Sequence, residues 1–150
     1  MIIYFASDHA GFELNKDLAG FVKELGFEVV DLGPESYDEN DDYPDTISKA
    51  GEMISKNPED RAVVLGGSGQ GEAIVCNRYP NVRAAVFYGG SMEIVTLSRT
   101  HNDANILSIG ARFVDQNEIN EVVRTWLLTP FSNEERHIRR IKKIEQLKVK

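Results

Sequence analysis

The run Gly66-Gly67-Ser68-Gly69-Gln70-Gly71-Glu72 places four glycines in six positions with a carboxylate directly after them. Glycines free the backbone to aim several N–H groups at one anion, and the amino end of a following helix adds to the pull. The run therefore has the general form of an oxyanion or phosphate cradle. Two familiar cradles are excluded by missing residues. A P-loop needs Lys and then Ser or Thr after its last glycine, where this chain carries Glu72, whose charge would repel a phosphate. A dinucleotide loop wants a small residue at that position and follows a first strand, whereas this run follows the third. A carboxylate beside an anion cradle makes sense when the anion is transient. Removing a proton next to a carbonyl creates an enediolate oxygen that backbone donors stabilise, while the carboxylate carries the proton to the neighbouring carbon. Glu72 is the candidate base of such an enolisation. A glutamate in a first helical turn also complements the helix dipole, for about 0.3–1 kcal/mol, and spacing leaves both roles open.

Three further clusters carry groups that could act on a phosphorylated, hydroxyl-rich substrate. In Ser7-Asp8-His9-Ala10-Gly11, Asp8 suits a helix N-cap as well as a ligand for sugar hydroxyls, and His9 could donate to a phosphate or hydroxyl. In Arg99-Thr100-His101-Asn102-Asp103-Ala104-Asn105, His101 falls at a predicted helix carboxyl end. A group titrating near neutrality there suits proton transfer to a ring oxygen, and equally an ordinary helix terminus. Arg112 is joined by Arg136 and Arg140, which are i and i+4 on a predicted terminal helix and could grip a phosphate from one face or simply be solvated. The three histidines are far apart and none has HxxxH-type spacing, so no metal site is indicated. Cys76, the only cysteine, excludes an intrachain disulfide and a cysteine-based metal cluster, and reads as a buried structural thiol.

These residues must be held by a framework, and the apolar pattern supplies one. Short apolar runs at 2–6, 27–32, 62–67, 83–88 and 105–110 read as strands, most of them continuously apolar as strands covered on both faces are. Between them, 3.6-type spacing predicts helices over 12–25, 45–54, 71–78, 91–99 and 116–128. Alternation of the two gives an α/β fold, a Rossmann-like α/β/α sandwich on a five-stranded parallel sheet, with ligands expected beyond the strands' carboxyl ends. A sixth helix over 133–147 carries Ile138, Ile141 and Ile144 on one stripe among basic residues, and that stripe is expected to pack on a partner subunit. The 33–44 connection is the one long irregular loop, a kind that is often functional.

At 150 residues the chain fits a single domain spanning 1–150. Hydrophobic residues make up 41% and charged residues 27%, so nothing argues for disorder. A net charge of −7 disfavours nucleic acid and anionic membranes as partners. The charge is uneven: 35–45 holds six acidic residues, while Arg136, Arg139, Arg140, Lys142, Lys143, Lys148 and Lys150 make the last stretch basic. That basic end suits a small anionic ligand or a solvated helix face. No apolar stretch approaches the 18 or so residues of a membrane span, and the opening MIIYFASDHAG lacks a basic leader, so a cytoplasmic protein is expected.

Taken together, SDHAG, DDYPD, VLGGSGQGE, RTHNDANILSIGAR and RHIRRI resemble, in that order and nearly end to end, the family of ribose-5-phosphate isomerase B and the galactose-6-phosphate isomerase subunits. The resemblance implies an aldose–ketose isomerase without metal or organic cofactor. It also implies a homodimer, a tetramer in some members, with active sites at the subunit interface. By the same resemblance Glu72 is the base, His101 opens the furanose ring, and Asp8 and His9 contact the sugar and its phosphate. Gly67, Ser68, Gly69, Gln70 and Gly71 line an anion hole, with Ser68 in reach of the reacting oxygens. Asn102 binds substrate, Arg112, Arg136 and Arg140 hold the phosphate, and Tyr43 walls the sugar pocket. The family has a variant with a cysteine base just before the glycine run and one with a glutamate just after it. With Gly66 at the first position and Glu72 at the second, this chain resembles the glutamate variant, and Cys76 is not the catalytic thiol. The expected substrates are D-ribose 5-phosphate and D-ribulose 5-phosphate. The alternatives are a six-carbon sugar phosphate, such as allose or galactose 6-phosphate, and a non-catalytic sugar-phosphate-binding module.

Overall fold

The computed structural model describes residues 1–147, so Lys148 and Lys150 of the basic end lie outside the described residues. Five strands, β1 (Ile2–Ser7), β2 (Glu28–Asp31), β3 (Arg61–Gly66), β4 (Ala84–Phe87) and β5 (Ile106–Gly110), form one sheet in the order β2-β1-β3-β5-β4. Every neighbouring pair is parallel. The helices are α1 (Phe12–Glu24), α2 (Tyr43–Lys56), α3 (Gln70–Cys76), α4 (Met92–Thr100), α5 (Ile119–Leu128) and α6 (Glu135–Glu145), with a short 3-10 turn over His9–Gly11 ahead of α1. None of the described helices is long and apolar enough to cross a membrane.

The continuous apolarity of the central strands has the cause the sequence implies: both faces of the sheet are covered. Ile3 and Phe5 of β1, Val63 and Leu65 of β3, and Leu107 and Ile109 of β5 pack with α1, α4 and α5 around the fully buried Trp126. The alternate residues Tyr4, Ala6, Ala62, Val64 and Ile106 face Ile47, Ala50 and Ile54 of α2 and Cys76 of α3. Burying one such aliphatic side chain is worth about 1.5–3 kcal/mol, so the doubly covered central strands hold the frame. Buried Cys76, its thiol pushed up to about 12 chiefly by desolvation, is the structural residue its solitary position suggests.

Strand order reverses between β1 and β3: the chain leaves β1 toward β2 on one side and returns to β3 on the other. This is the switch point at which open α/β sheets leave a crevice beyond the strands' carboxyl ends. The 33–44 loop belongs to this edge, because it leaves β2 and re-enters the sheet layer through α2. Its first turn is tied down by Asp31, whose carboxylate accepts from the Gly33 N–H (2.8 Å) and from Asn15 Nδ2 (3.1 Å).

The opposite, amino edge of the sheet gathers the ends of α4 and α5 and all of α6. Half-buried Arg61 donates to the Trp126 and Leu127 carbonyls at the end of α5. Arg83, just before β4, bonds the carbonyls of Asn102 and Asp103 and pairs with the carboxylates of Asp103 and of Glu145 on α6. Asn105 is the pin of this edge: its Oδ1 accepts from the Arg83 N–H (2.8 Å) and its Nδ2 donates to the Asn81 carbonyl (2.8 Å), with 2% of the residue exposed. Removing it leaves buried backbone groups unpaired, at about 1–3 kcal/mol. Asn105→Ala is therefore expected to lower the melting temperature by about 2–4 °C for each kcal/mol lost. A calorimetric scan showing no change would mean that water replaces the side chain without cost.

Candidate active site

The glycine run leaves β3 at Gly66 and turns over the end of the sheet into α3. Gly69 makes the turn, with φ +75, a left-handed conformation in which a side chain is strained; a Cβ there would also meet the backbone of Ile109 and Gly110 at 2.9 Å. The run's own carbonyls lock it to β5 and the stretch that follows: the Ala111 N–H donates to the Gly66 carbonyl (2.8 Å), the Arg112 N–H to the Gly67 carbonyl (3.2 Å), and Ser108 Oγ to the Gly69 carbonyl (2.6 Å). Ser68 Oγ accepts from the Gln70 N–H at 3.3 Å. Tyr43, at the start of α2, lays its ring against Gly71, where a Cβ would come within 2.7 Å of Cζ. The tyrosine thus borders the run from the side of the loop.

Glu72 lies in the first turn of α3 and is 4% exposed. It does not point outward as a helix-dipole glutamate would. Its carboxyl group folds back over β3 and fills the space beside Gly66 where a side chain would otherwise stand. Burial pushes its pKa above the ordinary carboxylate range; a hydrogen bond from its own backbone N–H pulls the other way, and the Asp8 charge adds to the rise. A carboxylate held out of water, with its proton affinity raised toward neutrality, is equipped to take a proton from carbon and give it back.

Asp8 follows β1 across the switch point from Gly66, its N–H bonded to the Leu65 carbonyl (3.2 Å). Its Oδ1 accepts from the N–H groups of Ala10 (2.8 Å) and Gly11 (3.1 Å), so it is an N-cap and a group of the crevice at once. His9 turns toward the loop, with Nδ1 2.6 Å from Asp41 Oδ1. That bond raises the histidine's pKa; desolvation opposes it, Asp8 and Asp41 add to the rise, and Arg112 opposes it. Arg112 lies beside Gly67, with Nη1 3.4 Å from where a Cβ would be. Asp8, His9 and Asp41 offer ligand atoms within 4.8 Å of one another, as a metal site would. Asp8 Oδ1 accepts from two backbone N–H groups and His9 Nδ1 is bonded to Asp41, which leaves Asp8 Oδ2 and His9 Nε2 to face the crevice.

The remaining predicted residues lie elsewhere. His101 and Asn102 follow α4 and precede β5, and the Asn105 carbonyl accepts from Ala62 at the beginning of β3, so both sit on the amino edge. Arg136 and Arg140 of α6 belong to the same edge: the Ser132 N–H bonds the Thr100 carbonyl, and Glu145 pairs with Arg83. Arg136 is exposed and paired with Glu134 at 2.8 Å. From the Ile106 level to the Gly110 level the strand rises about 13 Å, so Glu72, Asp8, His9, Ser68, Tyr43 and Arg112 occupy one end of the molecule. His101, Asn102, Arg136 and Arg140 occupy the other. The residues that the resemblance implies for the site thus fall into two groups at opposite ends of one chain.

Two residues with no role in the sequence reading, Asp41 and His137, lie beside these groups, and Gly66, read there as part of the cradle, has a further part. Gly66 is there as the space for Glu72. Asp41 was hidden inside an acidic run. His137, 2% exposed, stacks on His101 with ring centroids 4.2 Å apart and planes at 16°, and its Nε2 has no hydrogen-bond partner among the described residues. Burial pushes its pKa down, and His101, Arg136 and Arg140 add to the fall while Glu134 opposes it. Only its place between Arg136 and Ile138 could have drawn notice.

A family model described as Ribose/Galactose Isomerase matches residues 3–144. Ribose-5-phosphate isomerase B of Mycolicibacterium paratuberculosis is 39% identical over 141 residues, covering 94% of this chain and 87% of the relative. Among solved structures, ribose-5-phosphate isomerase B from Mycoplasma genitalium with bound ribulose-5-phosphate superposes with a TM-score of 0.92 at 37% identity, covering 97% of this chain and 94% of that one. The enzyme from Clostridium thermocellum gives 0.90 at 39% identity, covering 97% and 96%.

A methyl group at position 66 collides only with the movable end of Glu72, so it should displace the carboxylate and spare the fold. Misplacement by about 1 Å can cost about 100-fold in rate. Gly66→Ala is expected to keep its melting temperature within a few degrees and to lose at least about tenfold in kcat; unchanged turnover would show that the carboxylate's seat is immaterial.

Proposed function

The chain belongs to the ribose/galactose isomerase family, and on that premise we propose that it interconverts D-ribose 5-phosphate and D-ribulose 5-phosphate in the cytoplasm. The observation that carries the reading is the buried Glu72 carboxylate, seated against Gly66 and facing the crevice that Asp8 borders. Glu72 takes the C2 proton of the open-chain aldose and delivers it to C1. The N–H groups of the run Gly67, Ser68, Gly69, Gln70 and Gly71 stabilise the enediolate oxygen, and Ser68 Oγ lies in reach of the reacting oxygens. Asp8 holds sugar hydroxyls and Tyr43 closes the side of the pocket. His9 and Arg112 bind the phosphate, whose remote binding energy keeps the reacting carbons still. No metal or organic cofactor enters this chemistry, because proton transfer and charge stabilisation are all it needs.

Ring opening requires His101, and Glu72 and His101 lie at opposite ends of one chain. A second copy must therefore bring its own amino edge to the carboxyl edge of the first. In that homodimer the second copy's His101 opens the furanose ring, its Asn102 binds the sugar, and its Arg136 and Arg140 complete the phosphate grip. The apolar stripe of α6 supports such a contact. Ile144 is 50% exposed, and with Leu147 it lines a groove closed on the other side by Tyr79, Pro80 and Val82. The proton-handling groups Glu72 and His101 favour an isomerase over a binding module, since binding alone needs neither.

A two-fold dimer makes a sharp test of the shared site. Glu72→Gln and His101→Asn are each expected to abolish turnover of ribose 5-phosphate. When the two proteins are mixed after unfolding and refolded together, half the dimers are hybrids carrying one site with both lesions and one with neither, so activity should return to about one quarter of wild type. If each chain carried its own complete site, the mixture would stay dead. Wild-type protein inert toward ribose 5-phosphate but active on a six-carbon aldose phosphate would move the substrate to the hexose series.

A further inference from the structure

His9 is held by the 33–44 loop as well as by its own strand. Its Nδ1 lies 2.6 Å from Asp41 Oδ1, and the ring of Tyr37 stands edge-on to the imidazole at 6.3 Å. The loop presents Asp41 through a turn built on Asp38, whose carboxylate accepts from the Asn40 N–H (3.0 Å) and whose carbonyl accepts from the Asp41 N–H (3.3 Å). Of the six acidic residues between 35 and 45, the other five are exposed, while the Asp41 side chain is 16% exposed. This carboxylate is therefore not one more solvated charge of an acidic loop.

The bond constrains what the other ring nitrogen can do. With Nδ1–H donated to Asp41, a neutral imidazole presents Nε2 as a lone pair, which repels a phosphate oxygen. Only the doubly protonated ring can donate to Asp41 and to a phosphate together. We propose that Asp41 is a positioning residue that fixes the orientation of His9 and keeps it cationic, so that Nε2–H joins Arg112 in gripping the substrate phosphate; this rests on the sugar-phosphate reading of the site. The charged groups facing His9 are Asp41 from the loop, Asp8 from the end of β1 and Arg112 from the stretch after β5. Two of the three favour the cation, and the hydrogen bond to Asp41 is the largest influence.

The consequence has a defined sign. A histidine whose pKa is raised stays charged to higher pH, so the wild type keeps its phosphate grip to higher pH than a variant without Asp41. In Asp41→Asn the ring loses its proton earlier. KM for the sugar phosphate should rise about 3- to 10-fold at about pH 7.5, with kcat within about twofold, and return to the wild-type value near about pH 5.5, where the ring is protonated unaided. Imidazole resonances of the free, labelled protein, assigned with His9→Gln, read the same step without substrate: His9 should titrate at distinctly lower pH in Asp41→Asn than in wild type. Glu39→Gln, which removes a neighbouring exposed charge, should alter neither readout. His9 titrating at the same pH in wild type and Asp41→Asn, or a KM ratio constant across pH, overturns the proposal. If the wild type turns over no aldose phosphate, the sugar-phosphate reading fails, and the resonances still decide whether Asp41 governs His9.

Discussion

A carboxylate that must work as a base has to be kept from water without being neutralised by a cation, and the architecture at the end of β3 meets that demand with an absent side chain. Gly66 leaves the space, and the Glu72 carboxyl group fills it. The rest of the carboxyl edge follows from that choice. The chain must turn sharply enough at Gly69 to bring the first turn of α3 back over its own strand, which requires a left-handed residue against the Ile109–Gly110 backbone. The turn must be locked, which the bonds from Ala111, Arg112 and Ser108 accomplish. A side chain at 66 and a carboxylate from 72 would occupy one volume.

The sheet sets the second constraint. A parallel α/β sheet returns each helix to the amino edge before the next strand begins, so residues placed at helix carboxyl ends are carried to the opposite side of the molecule from residues placed after strands. His101 is at a helix end and Glu72 is after a strand; no folding of one such domain joins them. Holding half-buried Arg61 and buried Arg99 under the α5 carbonyls and pinning Arg83 through Asn105 makes the amino edge a rigid presenting surface rather than a fringe. Under the proposed isomerase chemistry, geometry of this kind makes association a condition of turnover.

Much of this was legible in the chain. Continuous apolar runs such as AVVLGG announce strands covered on both faces, and the glycine run with its trailing glutamate announces an anion cradle beside a carboxylate, with the carboxylate's role as base or dipole partner left open by spacing. Helix limits moved by one to three residues, as in α2, which begins at Tyr43 because Pro44 fits a first turn. What could not be read were pairings between distant segments. Asp41 is one carboxylate among six until the loop turns it onto His9, and His137 is one residue of a basic helix until α6 lays it on His101. The division into two groups likewise depends on strand order, which a list of motifs does not contain.

The account stands on proton transfer by Glu72, and the most direct test follows that proton. Ribose 5-phosphate carrying deuterium at C2 should lose its label from that carbon, to C1 or to water, in step with isomerisation by the wild-type protein. Folded Glu72→Gln should still bind the sugar phosphate but move the label about 10²–10⁴-fold more slowly. A Glu72→Gln protein that clears deuterium from C2 at the wild-type rate would contradict the assignment of the base, and with it the reason for the glycine at position 66.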